Sequence, residues 1–444
     1  MLNRLYRLPE NGTTVARELQ AGATTFAAMA YILAVNPDIL SAAGMPKEAL
    51  ITVTALTAAV STLLMGFLTN YPLALAPGMG INAYFAFTIC LGLKVPWQSA
   101  LGLVFVNGCI FLALSVTGVR ERIITAIPHQ LKLAITCGIG LFIAFIGLKN
   151  GGIITASPAT FVTHGDFGSA SVLLCFGGIL LTAVLVARQV PGAIILSILA
   201  VTAVGLLVSD GKGGTVTKMP ASLLSPPASP VPTLFQLNFD LLLKDFGKAL
   251  PIILTLLLVD MFDNIGTLIG VTKRAGLLDR DGKLPKAGRA LVADSIAAIL
   301  SSLLGTSTVV SYIESASGVA AGGRTGLTGA TTAVLFLLAL FLTPVILAIP
   351  AAATAPALVI VGVFMFQSVA EMKLDDFTEV APVFLIIAGI PLSFSIAEGI
   401  GLGLIAYAVL KLATGRTRDT TPLTYALAAI FSLHLLREMF ARLF

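Results

Sequence analysis

The chain has 444 residues, 57% of them hydrophobic and 11% charged, where a soluble domain carries roughly 25% charged residues. With a mean hydropathy of +0.98, that composition excludes a soluble globular enzyme, a disordered regulator and a disulfide-stapled secreted domain. A membrane enzyme stays possible, so function has to be argued from sites. The net charge of +5 comes with no basic run interleaved with aromatics, which speaks against nucleic acid as a partner. Cys90, Cys109, Cys137 and Cys175 lie in or beside apolar spans and form no CxxC pair, so no zinc site or disulfide framework is indicated. Trp97, His129, His164 and His434 are too scattered for a metal cluster. No metal and no cofactor is expected.

Arg4 and Arg7 precede an apolar stretch from about Ala21 to Leu40. It is too long for the roughly 7–15 residues of a signal-peptide core, so it reads as a first span that is retained. A span needs about 20 apolar residues. In chain order the predicted spans are 19–40, 48–69, 73–89, 98–117, 130–148, 170–187 and 191–208. A polar, Pro-rich stretch follows over 209–247. Then come 248–271, 290–304, 308–322, 328–348, 352–370, 379–395 and 398–414. A last apolar stretch, 422–436, reads either as an extra span or as an interfacial helix, with Arg437, Glu438 and Arg442 behind it.

The expected fold is therefore an all-α polytopic membrane protein with 14 spans in two sets of seven. An odd number of spans per half turns the second half upside down, the arrangement of inverted-repeat transporters. The domain reading is a first repeat over 1–208, a linker over 209–247, a second repeat over 248–415, and a C-terminal apolar or amphipathic segment over 416–444. With the N-terminus inside, 18 Lys and Arg fall on the cytoplasmic side and seven outside, with Arg437 and Arg442 unassigned. That bias obeys the positive-inside rule. The expected location is the inner or plasma membrane.

The third segment of each half is anomalous. One runs Ala74-Leu75-Ala76-Pro77-Gly78-Met79-Gly80-Ile81-Asn82-Ala83, the other Gly305-Thr306-Ser307-Thr308-Val309-Val310-Ser311-Tyr312-Ile313-Glu314-Ser315. Both are short and interrupted by Gly, Pro or small polar residues. Paired broken segments at matching positions point to a midplane binding site, because irregular backbone at that depth survives only beside protein or a wet cavity.

Ionisable groups inside spans are costly and mark function. Asp260, Asp263 and Thr267 sit at i, i+3 and i+7, on one face of a helix. Two carboxylates on one face can bind a cation, share a proton, or accept hydrogen bonds from ligand N–H groups. A bland reading of Asp260 is a helix cap or an ion-pair partner. Tyr312 and Glu314 would point the same way from extended backbone; the bland reading of Glu314 is a cap for the following helix. Gly78 and Gly80 permit close backbone approach, and Asn82 offers a donor and an acceptor. Tyr84 and Phe85 could stack on a flat ligand or serve as packing. Asp294 reads as structural, and Glu371, Asp375, Asp376 and Glu379 as a solvated loop. GxSxG, HExxH and P-loop lysine motifs are missing, so no enzyme is expected.

The stretches Ala76–Phe85, Phe262-Asp263-Asn264-Ile265-Gly266-Thr267-Leu268, and Thr308–Gly318 followed by Gly322-Gly323-Arg324-Thr325-Gly326-Leu327 resemble the AzgA-like purine permeases of the xanthine/uracil/nucleobase–ascorbate permease superfamily. The resemblance runs from about Gly12 to Gly415. It implies a core domain (spans 1–4 and 8–11) moving against a gate domain (spans 5–7 and 12–14), with a short strand and a half-helix in spans 3 and 10. It implies that Asp263 and Glu314 contact the base. Thr267 falls where some uracil permeases have a histidine linked to proton coupling, a departure from that pattern. Homodimers are common in the superfamily.

The function read from these residues is secondary active import of a purine nucleobase, adenine favoured over hypoxanthine and guanine, by proton symport with an elevator-like core movement. The expected substrate-binding residues are Asp263, Glu314, Asn82, Phe262, Thr267, Tyr312, Gly80 and Phe85, with Asp260, Asp263 and Glu314 as proton-coupling candidates. Na⁺ coupling is the alternative, since two carboxylates and backbone carbonyls can hold that ion. An anion transporter of the same architecture would favour half-helix N-termini with a basic residue and few carboxylates. A scaffold would not need two matched broken segments carrying acids.

Overall fold

The computed structural model describes residues 2–118, 127–211, 213–220, 222–277 and 284–443, the side chains at 262, 263, 265, 266, 269, 270, 273, 274 and 437–443 excepted. The apolar segments fold as helices because only a helix satisfies its own backbone groups in lipid. The first is split into α1 (Val15–Met29) and α2 (Ile32–Ser41). Thr14 caps α1 by accepting from the Arg17 N–H, and Pro37 lies inside α2. Between the two helices the ladder tightens, with Leu33 and Ala34 N–H groups bonding Ala30 and Tyr31 oxygens. This interruption at Ala30–Tyr31 was not foreseen from the sequence.

Next come α3 (Lys47–Thr69), strand β1 (Leu75–Pro77), and α4 (Met79–Ala83), which widens into a π-helical stretch over Tyr84–Gly92. Then follow α5 (Trp97–Val116), α6 (His129–Asn150), the hairpin β2 (Ile154–Ser157) and β3 (Phe161–His164), α7 (Ala170–Ala187) and α8 (Ala193–Gly205). Beyond the linker lie α9 (Phe246–Arg274), α10 (Ala287–Leu304), β4 (Val309–Ser311), α11 (Ser315–Ala320) and α12 (Gly326–Ala339). The chain ends with α13 (Ala351–Phe366), α14 (Phe377–Ser393), α15 (Ile396–Ala413) and α16 (Pro422–Leu443). Among the described residues nine helices are long and apolar enough to cross a membrane, and shorter apolar helices lie at Met79–Gly92, Ala193–Gly205, Phe377–Ser393 and Pro422–Leu436. The chain is a helical membrane protein.

The heaviest packing falls into two groups. In one, α3 lies against α2, α10 and α12, α12 against α1, and α5 against α10. In the other, α6 lies against α13 and α14, α13 against α7, and α14 against α15. Small residues set the close crossings. A Cβ on Gly326 would stand 2.7 Å from the Gly66 carbonyl oxygen. Gly326→Val is therefore expected to destabilise by about 1–3 kcal/mol, read as a lowered Tm in detergent. An unchanged Tm would mean that α3 and α12 can part freely.

Two acids that read as solvated are in fact paired. Glu379 accepts from Lys411 Nζ at 2.6 Å. Lys411 is fully buried, also donates to Thr378 Oγ1 at 3.0 Å, and lies over the Tyr407 ring. Asp376 pairs with Arg416 and caps α14 through the Thr378 N–H at 2.9 Å. Antiparallel α14 and α15 set their ends side by side, and a buried ammonium must find a carboxylate there. The Thr378 N–H and the Arg416 guanidinium hold the Asp376 carboxyl at about 2. Its contribution is thus present above the ordinary carboxylate range and is lost only as pH falls toward that value. Glu371 and Asp375 are exposed, as expected.

The last helix is no loose tail. His434 Nε2 lies 3.3 Å from Glu398 Oε1, and a Cβ on Gly401 would meet the Phe431 ring at 2.9 Å. So α16 runs back antiparallel along α15, burying Leu427, Ala428 and Phe431.

Candidate functional site

Strands β1 and β4 pair antiparallel, with Leu75 opposite Ser311, Ala76 opposite Val310 and Pro77 opposite Val309. Backbone bonds extend the pair at both ends, from Gly78 N–H to Thr308 O and from Tyr312 N–H to Ala74 O, each at 3.0 Å. A sheet edge inside a membrane must be satisfied, and side chains do this. Thr62 Oγ1 donates to Leu75 O at 3.1 Å and accepts from Leu75 N–H at 2.9 Å. Asn264 Oδ1 accepts from Ser311 N–H at 2.7 Å. The Asn264 amide in turn donates to Asp260 Oδ1 at 2.8 Å and to Asp294 Oδ2 at 2.9 Å. Asp260, Asn264 and Asp294 are all buried. Asp260 thus belongs to a network that carries β4.

Beside the paired strands lies a cavity of about 70 Å³. Tyr31, Gly80, Thr267, Tyr312 and Glu314 line it together with Val361, Phe364 and Met365 of α13. Tyr31 Oη donates to Glu314 Oε1 at 2.7 Å. Tyr312 Oη donates to Pro77 O at 2.6 Å, so that phenol locks the strand pair. Tyr312 and Glu314 both line this cavity, but extended backbone is not the reason. Glu314 has φ −59° and ψ −20°, so the chain has already turned helical before it and the alternation of extended backbone no longer applies. Its side chain makes no capping bond to α11 either.

The structure thus brings Gly80, Thr267, Tyr312 and Glu314 together at one cavity. A Cβ on Gly80 would meet Ile139 Cγ2 at 2.8 Å, so a glycine there lets α4 lie against α6. Asn82 and Phe85 are fully buried and are not among the described lining residues. The Asn82 amide oxygen accepts from Ser307 Oγ. The side chains of Phe262 and Asp263 lie outside the described residues. Sequence reasoning missed Tyr31, Phe364 and Met365. No local signal set Tyr31 apart, and the others look like any apolar side chain of a span. It also missed Glu18, which is fully buried and accepts from Thr325 Oγ1 at 2.8 Å and Thr328 Oγ1 at 2.6 Å. Glu18 further accepts from the N–H groups of Arg324, Thr325 and Thr328 at 2.9, 3.3 and 3.1 Å. It thereby fixes the Gly322–Leu327 stretch at the start of α12. A larger cleft of about 600 Å³, lined by Lys94, Asp240, Lys244, Asp245 and Lys248 among others, shares no described lining residue with the broken segments.

Two strands that meet deep among apolar helices, ending at a small, largely apolar cavity that holds one carboxylate among its described lining residues, define a membrane transporter. The chain belongs to the Xan_ur_permease family, described as a permease family, whose pattern matches residues 16–403. It is 43% identical over 434 residues to the adenine permease AdeP of Escherichia coli, covering 98% of this chain and 95% of that one. It is 41% identical over 442 residues to the guanine/hypoxanthine permease PbuG of Bacillus subtilis, covering 98% and 99%. Such relatives are permeases, not enzymes. In fold the chain is similar to the transmembrane domain of a cyanobacterial bicarbonate transporter, BicA, with a TM-score of 0.65 at 16% identity, covering 87% of this chain and 97% of that one. At that identity the likeness concerns the fold alone.

Proposed function

We propose that the protein imports purine nucleobases, adenine before hypoxanthine and guanine, by proton symport. The observation that carries this reading is Glu314, a carboxylate facing the cavity where β1 and β4 end. A purine is flat, neutral and rich in ring N–H groups. A carboxylate accepting such a group makes a charge-assisted bond, about twice as strong as a neutral one. Thr267 adds a hydroxyl and Phe364 an aromatic face, and stacking is worth about 0.5–1.5 kcal/mol. Among the described lining residues none is basic, which disfavours an anion as cargo. The names of AdeP and PbuG support a purine.

A cavity of about 70 Å³ holds a few waters, not a fused two-ring base. The lining from α13 must therefore draw away from the broken segments for a purine to enter. This supports an elevator-like movement of a core (spans 1–4 and 8–11) against a gate (spans 5–7 and 12–14), within 14 spans forming inverted repeats over 1–208 and 248–415 joined by 209–247. In this reading the N-terminus is cytoplasmic, the membrane is the inner or plasma membrane, and two copies form a homodimer. Asp263 completes the purine contacts, and a proton on one of the candidates Asp260, Asp263 and Glu314 neutralises the site so that the core can cross.

The test is uptake of radiolabelled adenine, hypoxanthine and guanine into proteoliposomes under an imposed pH gradient or an imposed Na⁺ gradient. Accumulation driven by inward H⁺ is expected, with adenine the best competitor. Accumulation driven only by Na⁺ would replace the coupling ion. No uptake of any purine, in tight liposomes with folded protein, would overturn the reading.

A further inference from the structure

Beyond a contact with its own backbone, the Glu314 carboxylate is held by the Tyr31 side chain. Glu314 occupies the position before α11 yet makes no bond to that helix's free N–H groups through its side chain. A carboxylate that must meet a ligand in one orientation needs a partner that fixes it. Tyr31 provides one from a distant part of the chain. Its ring is 1% exposed, it sits at the interruption between α1 and α2, and its hydroxyl reaches Glu314 Oε1 at 2.7 Å. Both residues line the same cavity. An uninterrupted helix would bury this residue as plain packing, whereas here its polar tip ends at the one carboxylate of the described lining.

We propose that Tyr31 is a positioning residue for substrate binding, holding the Glu314 carboxylate toward the cavity so that a base N–H finds it already oriented. The inference rests on the purine reading above. Preorganisation of this kind shows in affinity, because an unfixed side chain must be ordered when the ligand binds. Tyr31→Phe keeps the ring and removes only the hydroxyl. The expected result is a KM for labelled adenine or hypoxanthine raised at least tenfold, about 1.4 kcal/mol, with Vmax within twofold and the Tm of the unliganded protein unchanged.

Glu314→Asp supplies the second arm, since the shorter side chain withdraws the carboxylate from the hydroxyl. In that background the Tyr31→Phe change is expected to alter KM by less than twofold, the non-additivity of two groups acting through one bond. Wild-type uptake together with a Tyr31→Phe KM within twofold of wild type would overturn the assignment and leave the purine reading standing. Fully additive effects would make Tyr31 a direct ligand or mere packing, and a markedly lowered Tm would make it a structural residue; either overturns the assignment. Absence of saturable uptake by the wild-type protein would remove the purine reading itself.

Discussion

Glu314→Gln is expected to lower purine uptake, as Vmax/KM, at least 100-fold while leaving the protein folded in the membrane. The amide has the same shape, and its oxygen can still accept from Tyr31 Oη, which now reaches Glu314 Oε1 at 2.7 Å. What goes is the charge. A bond from a base N–H to a carboxylate becomes a bond to a neutral carbonyl, or meets the amide NH₂ and is lost. Hydrogen bonds to charged groups are worth about 1.5–3 kcal/mol, and 100-fold corresponds to about 2.7 kcal/mol. The variant also cannot take up a proton, so accumulation against a gradient should fail even where some binding survives. Asp263→Asn is expected to act in the same direction. Glu371→Gln, in an exposed loop, serves as the control and should transport as the wild type does. The measurement is initial-rate uptake into proteoliposomes with matched amounts of folded protein. Full transport by Glu314→Gln would remove this residue from the site.

The residues that make this prediction possible were only partly legible in the sequence. The Gly- and Pro-broken stretches around Gly78 and Ser311 announce themselves, and β1 and β4 form there. Gly80, Thr267, Tyr312 and Glu314 do meet at one cavity. Periodicity failed where local geometry changes within a residue or two. Treating Tyr312 and Glu314 as extended gave the wrong reason for their nearness: the backbone turns helical at Glu314, and the phenol, while lining the cavity, donates to Pro77 O. Asn82 and Phe85 follow a glycine-rich strand end, yet they are fully buried away from the described cavity lining. No local pattern marks Phe364, because a ring that faces a cavity and a ring that faces lipid have the same neighbours in sequence.

The helix face predicted for Asp260 also needed tertiary information. A buried acid in a span reads first as a coupling group. Here two amides are among its partners, Asn264 at 2.8 Å and Asn107 at 3.5 Å, and Asn264 carries the Ser311 N–H of β4. The strand that leads to Glu314 is therefore held by an amide which two carboxylates, Asp260 and Asp294, hold in turn. In the proposed symport cycle, a proton taken up by Asp260 would be felt at β4 through Asn264.

Glu18→Ala is expected to be the most destabilising single change outside the site. The carboxylate is fully buried and accepts hydrogen bonds from the Arg324, Thr325 and Thr328 N–H groups and from the Thr325 and Thr328 hydroxyls, at 2.6 to 3.3 Å. It stands at the N-terminus of α12, where the helix dipole favours negative charge. No neighbour can replace it: Thr325 Oγ1 already accepts from the Leu327 N–H. Truncation leaves several donors buried without an acceptor, each costing about 1–3 kcal/mol. With partial relaxation and water entry the net loss should be about 3–5 kcal/mol, the scale for breaking a buried charged contact. Glu18→Gln should be milder, because its amide oxygen still accepts while its NH₂ faces other donors. Glu10→Ala, which removes an exposed partner 3.8 Å from Arg7, should change Tm little. The check is Tm in detergent together with the yield of folded protein. The decisive comparison is KM: Glu18 ties α1 to the start of α12 without lining the cavity, so the fraction that folds should bind purine with the wild-type KM. A folded Glu18→Ala protein of unchanged Tm would show that the Gly322–Leu327 stretch is held by other contacts, and a raised KM at unchanged Tm would move Glu18 from scaffold to site.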